Sequence, residues 1–315
     1  MPVPRAAEKV QEAELIMTRI VFLGLLISLA AHAAEPAGLL SMVAGNVQLV
    51  RAGQKTPVEA RAADLVSVGD RLLVGKGSEA SFLYCPDQKA GKIGAGGEIL
   101  FEAAGARILK GKLTEERKVP GCRLPTHLAL SAASLQQSGM TRLRGDLLLR
   151  SPSRTNTANA QPVFRWAPVE RATAYDIKVL DREERVQWRQ TVASTEARYP
   201  ATATPLAWGQ KYWWRLTARN GEDTLDEAAS YFQLLPADQA EGVQSAERNL
   251  LAMIQNDPAD NGPRFLLAFL YDENGILDEA ARCYGELAKR MGTQQWLEAR
   301  LHELMRKLGW DRPEN

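Results

Sequence analysis

Histidine, cysteine and net charge are all in short supply, and each shortage closes off a class of function. The 315-residue chain has three histidines, whereas a metal site needs three or four converging ligands. His127 follows Pro125-Thr126 in a loop-like stretch, and His302 stands among Glu298, Glu303 and Arg306 on a polar helical face. Neither has a cysteine or carboxylate at a ligand spacing that recurs elsewhere in the chain, so no metal site and no cofactor is expected. A formal net charge of +1 gives no general electrostatic basis for nucleic-acid binding. The Gly-x-Ser-x-Gly elbow and the Gly-x-x-x-x-Gly-Lys-[Ser/Thr] phosphate loop are missing. The glycine-rich "GAGGE" at 94–98 precedes a strand pattern, so a phosphate would find no helix terminus there. Asp70 and Asp87 are the nearest approach to a glycosidase carboxylate pair, but both fall in turn-like sequence. No catalytic residue is assigned, and the chain reads as a non-enzyme.

Long apolar runs are lacking as well. The run from Ile20 to Ala31 has twelve residues, short of the ~20 that span a bilayer. Preceded by Met17 and Arg19 and followed by Ala31-His32-Ala33, it has the three parts of a secretory signal peptide. Residues 1–16 read as an extension, 17–33 as the signal, and the mature chain as starting at Ala34 or Glu35 without a stable membrane span. The localisation expected is periplasmic or secreted; the alternative is anchorage through an uncleaved segment. No cysteine follows the run to carry a lipid. Of the three cysteines, Cys85 and Cys122 share one region, and in an oxidising compartment their bridge closes a loop worth about 4 kcal/mol. Cys283 reads as a buried free thiol in a helix.

The hydrophobic period divides the rest. Residues 38–125 alternate, with Val47 and Leu49, then Ala80, Phe82 and Tyr84, on single faces between glycine turns. Residues 126–160 read as a connecting segment that ends in the Ser/Thr/Asn/Pro-rich linker "SPSRTNTANA". Residues 161–235 alternate again: Tyr175, Ile177 and Val179, then Tyr212, Trp214, Leu216 and Ala218. In "GQKYWWRLTA" this alternation turns Tyr212 and Trp214 inward and leaves Trp213 outward. From 238 to 310 the period becomes helical, and Ala246, Leu250, Met253 and Pro258 recur 34 residues later as Ala280, Tyr284, Leu287 and Gly292. The fold class expected is multidomain, mainly β and then α.

Three resemblances sharpen this. Gly45, Val47, Leu49, Leu65, Gly69, Asp70, Leu72, Val74, Ala80 and Phe82 make residues 38–125 similar to the FecR-type domain of bacterial envelope proteins. Leu206, Gly209 and Tyr212, with Trp166, resemble the tyrosine corner and inward tryptophan of fibronectin type III sandwiches. The 34-residue period, with Leu267, Ala268, Tyr271, Gly275, Leu277 and Ala280, resembles a tetratricopeptide unit, one complete repeat that must pack on an adjacent β domain or a partner. The helical resemblance implies a concave surface made by the first helix of the pair, with Arg264, Phe265, Ala268 and Asp272 at partner-binding positions.

These modules together imply an exported, non-catalytic interaction scaffold of the envelope whose partners are other envelope proteins. The FecR likeness also invites a signalling sensor or regulator. A third reading is a cell-wall glycan binder, with Trp188, Trp208 and Trp213 as an exposed aromatic patch.

Overall fold

Paired apolar residues in the first strands decide how the N-terminal region packs. The computed structural model describes residues 35–125, 147–292 and 294–310; the expected extension and export segment, and His127, lie outside them. Ten strands form two five-stranded antiparallel sheets: β1 (Pro36–Ala44), β2 (Val47–Val50), β3 (Val58–Glu59), β4 (Leu65–Ser67), β5 (Arg71–Val74), β6 (Glu79–Tyr84), β7 (Lys89–Ile93), β8 (Glu98–Glu102), β9 (Gly105–Lys110) and β10 (Leu113–Lys118). One sheet runs β10-β7-β6-β1-β4 and the other β3-β2-β5-β8-β9. Val47, Leu49, Phe82, Tyr84 and Phe101 fill the space between them. In β6, however, Leu83 is as fully buried as its neighbours Phe82 and Tyr84, and Leu39 beside Leu40 in β1 behaves alike. That sheet is therefore covered on both faces, its second face by helices. The Cys85–Cys122 disulfide closes the region.

The second β unit is a sandwich. Strands β11 (Leu149–Ser151), β13 (Val163–Trp166) and β16 (Glu196–Arg198) form one sheet, in the order β11-β13-β16. Strands β12 (Thr155–Thr157), β18 (Asp223–Leu234), β17 (Lys211–Asn220), β14 (Ala174–Leu180) and β15 (Val186–Val192) form the other, in that spatial order. Phe164, Trp166, Ile177, Trp214 and Phe232 pack between the sheets, and the Trp214 indole donates to the Pro152 carbonyl oxygen at 2.7 Å. The linker expected over 151–160 is a correction. Thr155, Asn156 and Thr157 pair in parallel with Phe232, Gln233 and Leu234. Ser153 and Thr155 are buried, and their hydroxyls are satisfied by Ser230 at 2.8 Å and Asp278 at 3.0 Å. Polar composition matched a linker; satisfied hydroxyls let these residues enter a core instead.

Four helices follow among the described residues: α1 (Ala237–Asn256), α2 (Gly262–Glu273), α3 (Leu277–Met291) and α4 (Gln295–Leu308). Pro263 suits the first turn of α2, where its missing N–H has no partner to lose. Asp278 and Glu279 open α3 while Lys289 and Arg290 close it, the arrangement favoured by the helix dipole. None of these helices is long and apolar enough to cross a membrane. The described residues from Pro36 onward form one compact unit. A single apolar cluster explains why: it runs from Leu39, Leu83 and Val119 of the first β region through α2, α3 and α4 to Ala158 and Leu235 of the sandwich.

Candidate functional site

Helix α2 was the expected partner surface, and the structure fills it from within. Phe265 and Ala268 are completely buried and Asp272 nearly so, which removes all three as contact positions for another molecule. Arg264 alone is half-exposed, and its Nη1 donates to the Asp260 carbonyl oxygen at 2.9 Å. Burial, with the charge of Arg290 adding to it, lowers the Arg264 pKa from its ordinary value. The physical reason is the doubly covered β6 sheet: the first β region lies against the helices at the positions where a tetratricopeptide groove would receive a ligand. Trp296 Nε1 donates to the Ala63 carbonyl oxygen at 2.8 Å, Gln294 Nε2 to that of Ala62 at 2.7 Å, and Arg117 pairs with Asp260. Behind this contact Asp272 accepts from Arg300 Nε at 2.9 Å and from the Tyr284 hydroxyl at 2.9 Å.

The sandwich is held from the other side. Asn156 N–H donates to the Gly275 carbonyl oxygen at 2.9 Å and Asn156 Nδ2 to that of Asn274 at 2.9 Å. Gly275 has φ +68°, which favours glycine, and a Cβ there would stand 2.7 Å from Asn156 Nδ2 and push that side chain away. Asp278 accepts from Ser151 Oγ at 2.7 Å and Thr155 Oγ1 at 3.0 Å. Burial pushes its carboxyl up to about 6, against the opposing effect of the two hydroxyls.

The two carboxylates Asp70 and Asp87 are each engaged in local structure. Asp70 accepts from Arg51 Nη1 at 2.9 Å and from the backbone N–H of Ala52 and Ser67. Asp87 accepts from Ala106 N–H at 2.9 Å. Asp70 closes the turn between β4 and β5, and Asp87 ties the turn after β6 to the start of β9. Among the described residues, no group of three or more His, Cys, Asp or Glu stands where it could hold a metal. Cys283 is buried without a bridge, and burial pushes its thiol up to about 12.

The three tryptophans of the expected aromatic patch do not share a face. Trp188 pairs across to Val179, which pairs in turn with the inward Trp214, so register points Trp188 to the core. There it lies 5.8 Å from Phe164 and 5.4 Å from Tyr199, centroid to centroid. Trp208 occupies the turn before β17 and is 38% exposed. That turn is fixed by Ala207 N–H donating to the Tyr212 hydroxyl at 2.8 Å, the corner tie read from Leu206, Gly209 and Tyr212. Trp213 alone lies on the outer sheet face. Its cross-strand neighbours are Tyr231 and Leu180. Lys211 Nζ stands 3.9 Å from the Tyr231 ring centroid and 5.7 Å from that of Trp213. Beside them a cleft of about 330 Å³ is lined by Leu180, Asp181, Arg182, Glu184, Trp213 and Arg215, with Ala229 next to Arg215.

Tyr231, Lys211 and Arg215 had not been singled out from the sequence, although the alternation that turns Trp213 outward turns Lys211 and Arg215 outward with it.

No protein-family model and no curated protein matches the chain. Solved structures overlap it slightly. The two-domain fibronectin type III segment of chicken tenascin covers 64% of this chain and 95% of its own, at 10% identity and a TM-score of 0.22. A native α-L-rhamnosidase from Aspergillus terreus covers 30% of this chain, at 17% identity and a TM-score of 0.23, and the overlap spans 12% of that enzyme. A β-glucuronidase from Ruminococcus gnavus covers 52% of this chain and 40% of its own, at 8% identity and a TM-score of 0.22. At scores of this size the likeness has no bearing on what the chain does.

Proposed function

We propose that this chain is an exported, non-catalytic scaffold of the cell envelope, in which a tetratricopeptide-like helical layer holds a FecR-like β domain and a fibronectin type III-like sandwich in one fixed arrangement. The observation that carries the reading is the continuous apolar cluster from Leu39 and Leu83 through Phe265 and Tyr284 to Leu235. A helical pair that small needs neighbours to be stable, and here both β modules supply them. The sandwich likeness is supported by the Tyr212 hydroxyl tie and by a three-stranded sheet facing a five-stranded one. The export reading rests on the sequence from Met17 to Ala33. Partners of such a scaffold are other envelope proteins, met on surfaces outside the helical groove.

Affinity capture from envelope extracts tests this. The chain beginning at Glu35 is compared with a Gln294→Ala/Trp296→Ala variant designed to uncouple the first β module by removing its two hydrogen bonds from that end of the helical layer. Specific envelope proteins retained by the first and lost with the second are the expected result. Retention that ignores the uncoupling, or no specific retention, contradicts a scaffold that acts through its fixed arrangement.

A further inference from the structure

The outer face of the sheet β12-β18-β17-β14-β15 carries two parallel rows across its strands. One row is Tyr231, Trp213 and Leu180, in register on β18, β17 and β14. The next, two residues along each strand and so about 7 Å away, places Arg215 opposite Lys178 and Lys178 opposite Arg189. Like charges set directly opposite across strands are destabilising, yet three cations stand side by side here, all exposed. Among the described residues no carboxylate pairs with Lys178 or Arg189, and the one partner of Arg215 is Glu184, 3.9 Å away with both side chains mostly in water. Of the acids on this face, Asp181 accepts from Arg185 and Gln187, Asp176 pairs with Arg219 at 3.3 Å, and Glu227, one row beyond the cations, accepts from Thr217 Oγ1 at 3.1 Å. Lys211, poised over the Tyr231 ring, extends the positive field along the aromatic row.

We propose that this face binds an acidic polysaccharide, with a pyranose ring laid on Trp213 beside the Lys211–Tyr231 pair and the polymer's carboxylates on Arg215, Lys178 and Arg189. An outward tryptophan next to a cation row suits a ligand with an apolar ring face and a negative edge. An acidic peptide would satisfy the cations but leave the indole unused. This inference goes beyond the scaffold reading and stands or falls separately from it, because it needs no envelope protein.

The test is calorimetric titration of the full chain with hexameric oligogalacturonate, cellohexaose as the neutral control and poly-glutamate as the non-sugar polyanion. Saturable binding of oligogalacturonate is expected, weakening as salt rises, with no comparable binding of either control. Trp213→Ala and Arg215→Gln should each weaken it by about tenfold or more, a loss of ~1.4 kcal/mol or greater. Lys178→Gln/Arg189→Gln should weaken it several-fold and flatten its salt dependence. Arg215, Lys178 and Arg189 are exposed, so these variants keep the fold, which a thermal scan confirms. The proposal is overturned by absence of saturable binding, by equal binding of cellohexaose or poly-glutamate, or by affinity that survives both Trp213→Ala and Arg215→Gln.

Discussion

The indole N–H of Trp296 donates to the carbonyl oxygen of Ala63 at 2.8 Å, joining residues 233 positions apart in sequence. The ring also lies 6.0 Å from Phe265 and 6.4 Å from Tyr284, centroid to centroid. Helix α4 thus reaches across the helical layer to the first β region. Trp296→Ala should lower unfolding free energy by about 3 kcal/mol. Trp296→Phe, which keeps most of the packing but orphans the Ala63 carbonyl, should lower it by about 1–2 kcal/mol. Urea unfolding followed by circular dichroism measures both.

Arg300 and Asp272 form an ion pair in which both side chains are almost without solvent contact. Arg300 also pairs with Glu303 at 2.5 Å and Asp272 also accepts from the Tyr284 hydroxyl, so each keeps a contact when the other is removed, but a buried charge loses its main partner. Arg300→Met is expected to cost about 3–5 kcal/mol, and Asp272→Ala, which leaves Arg300 on Glu303, less, about 1.5–3 kcal/mol. The Asp272→Ala/Arg300→Met double variant should recover a large part of the loss, which a double-mutant cycle in urea would reveal.

Asp278 gives the fold a pH dependence. Its ordinary value of 3.8 rises to about 6, chiefly through burial, with the neighbouring Glu279 adding to the effect and Ser151 and Thr155 opposing it. A carboxyl raised on folding favours the native state most below its unfolded value and loses that contribution as pH climbs through the folded one. Between about pH 4 and pH 6 the wild-type chain should lose up to about 3 kcal/mol of stability that Asp278→Asn does not lose. Urea midpoints of the two proteins across that window, taken as a difference so that other carboxylates cancel, check the sign.

The disulfide makes a separate contribution. Cys85 and Cys122 are 37 residues apart, so Cys85→Ser/Cys122→Ser should destabilise by about 4 kcal/mol on the chain-entropy account. Cys283, buried and with its thiol pushed up to about 12, should resist alkylation in the native protein. Thiol labelling before and after denaturation, read by mass, tests that expectation.

Much of this architecture was legible in the order of residues, and the failures have definite causes. Strict alternation in "KYWWRLTA" separated inward Tyr212 and Trp214 from outward Trp213, because side-chain direction in a strand has a period of two. The same rule read across strands corrects Trp188, whose orientation depends on its pairing with Val179, a register that no single strand encodes. The groove expected on α2 failed because a repeat resemblance supplies positions without neighbours. The signal was present nonetheless: "FLLAFLY" over 265–271 has no polar side, and a helix apolar all round is a buried one. Leu83 between Phe82 and Tyr84 was the matching signal in the sheet that covers it.

Whether the helical layer truly unites the two β modules is tested most directly by following Cys283 labelling and tryptophan emission together through a urea titration. Cys283 lies in the shared cluster, while most tryptophans belong to the sandwich. One unit held by its helices predicts coincident midpoints, with the thiol exposed only as the sandwich unfolds. Labelling of Cys283 at a clearly lower urea concentration than the change in tryptophan emission would contradict it.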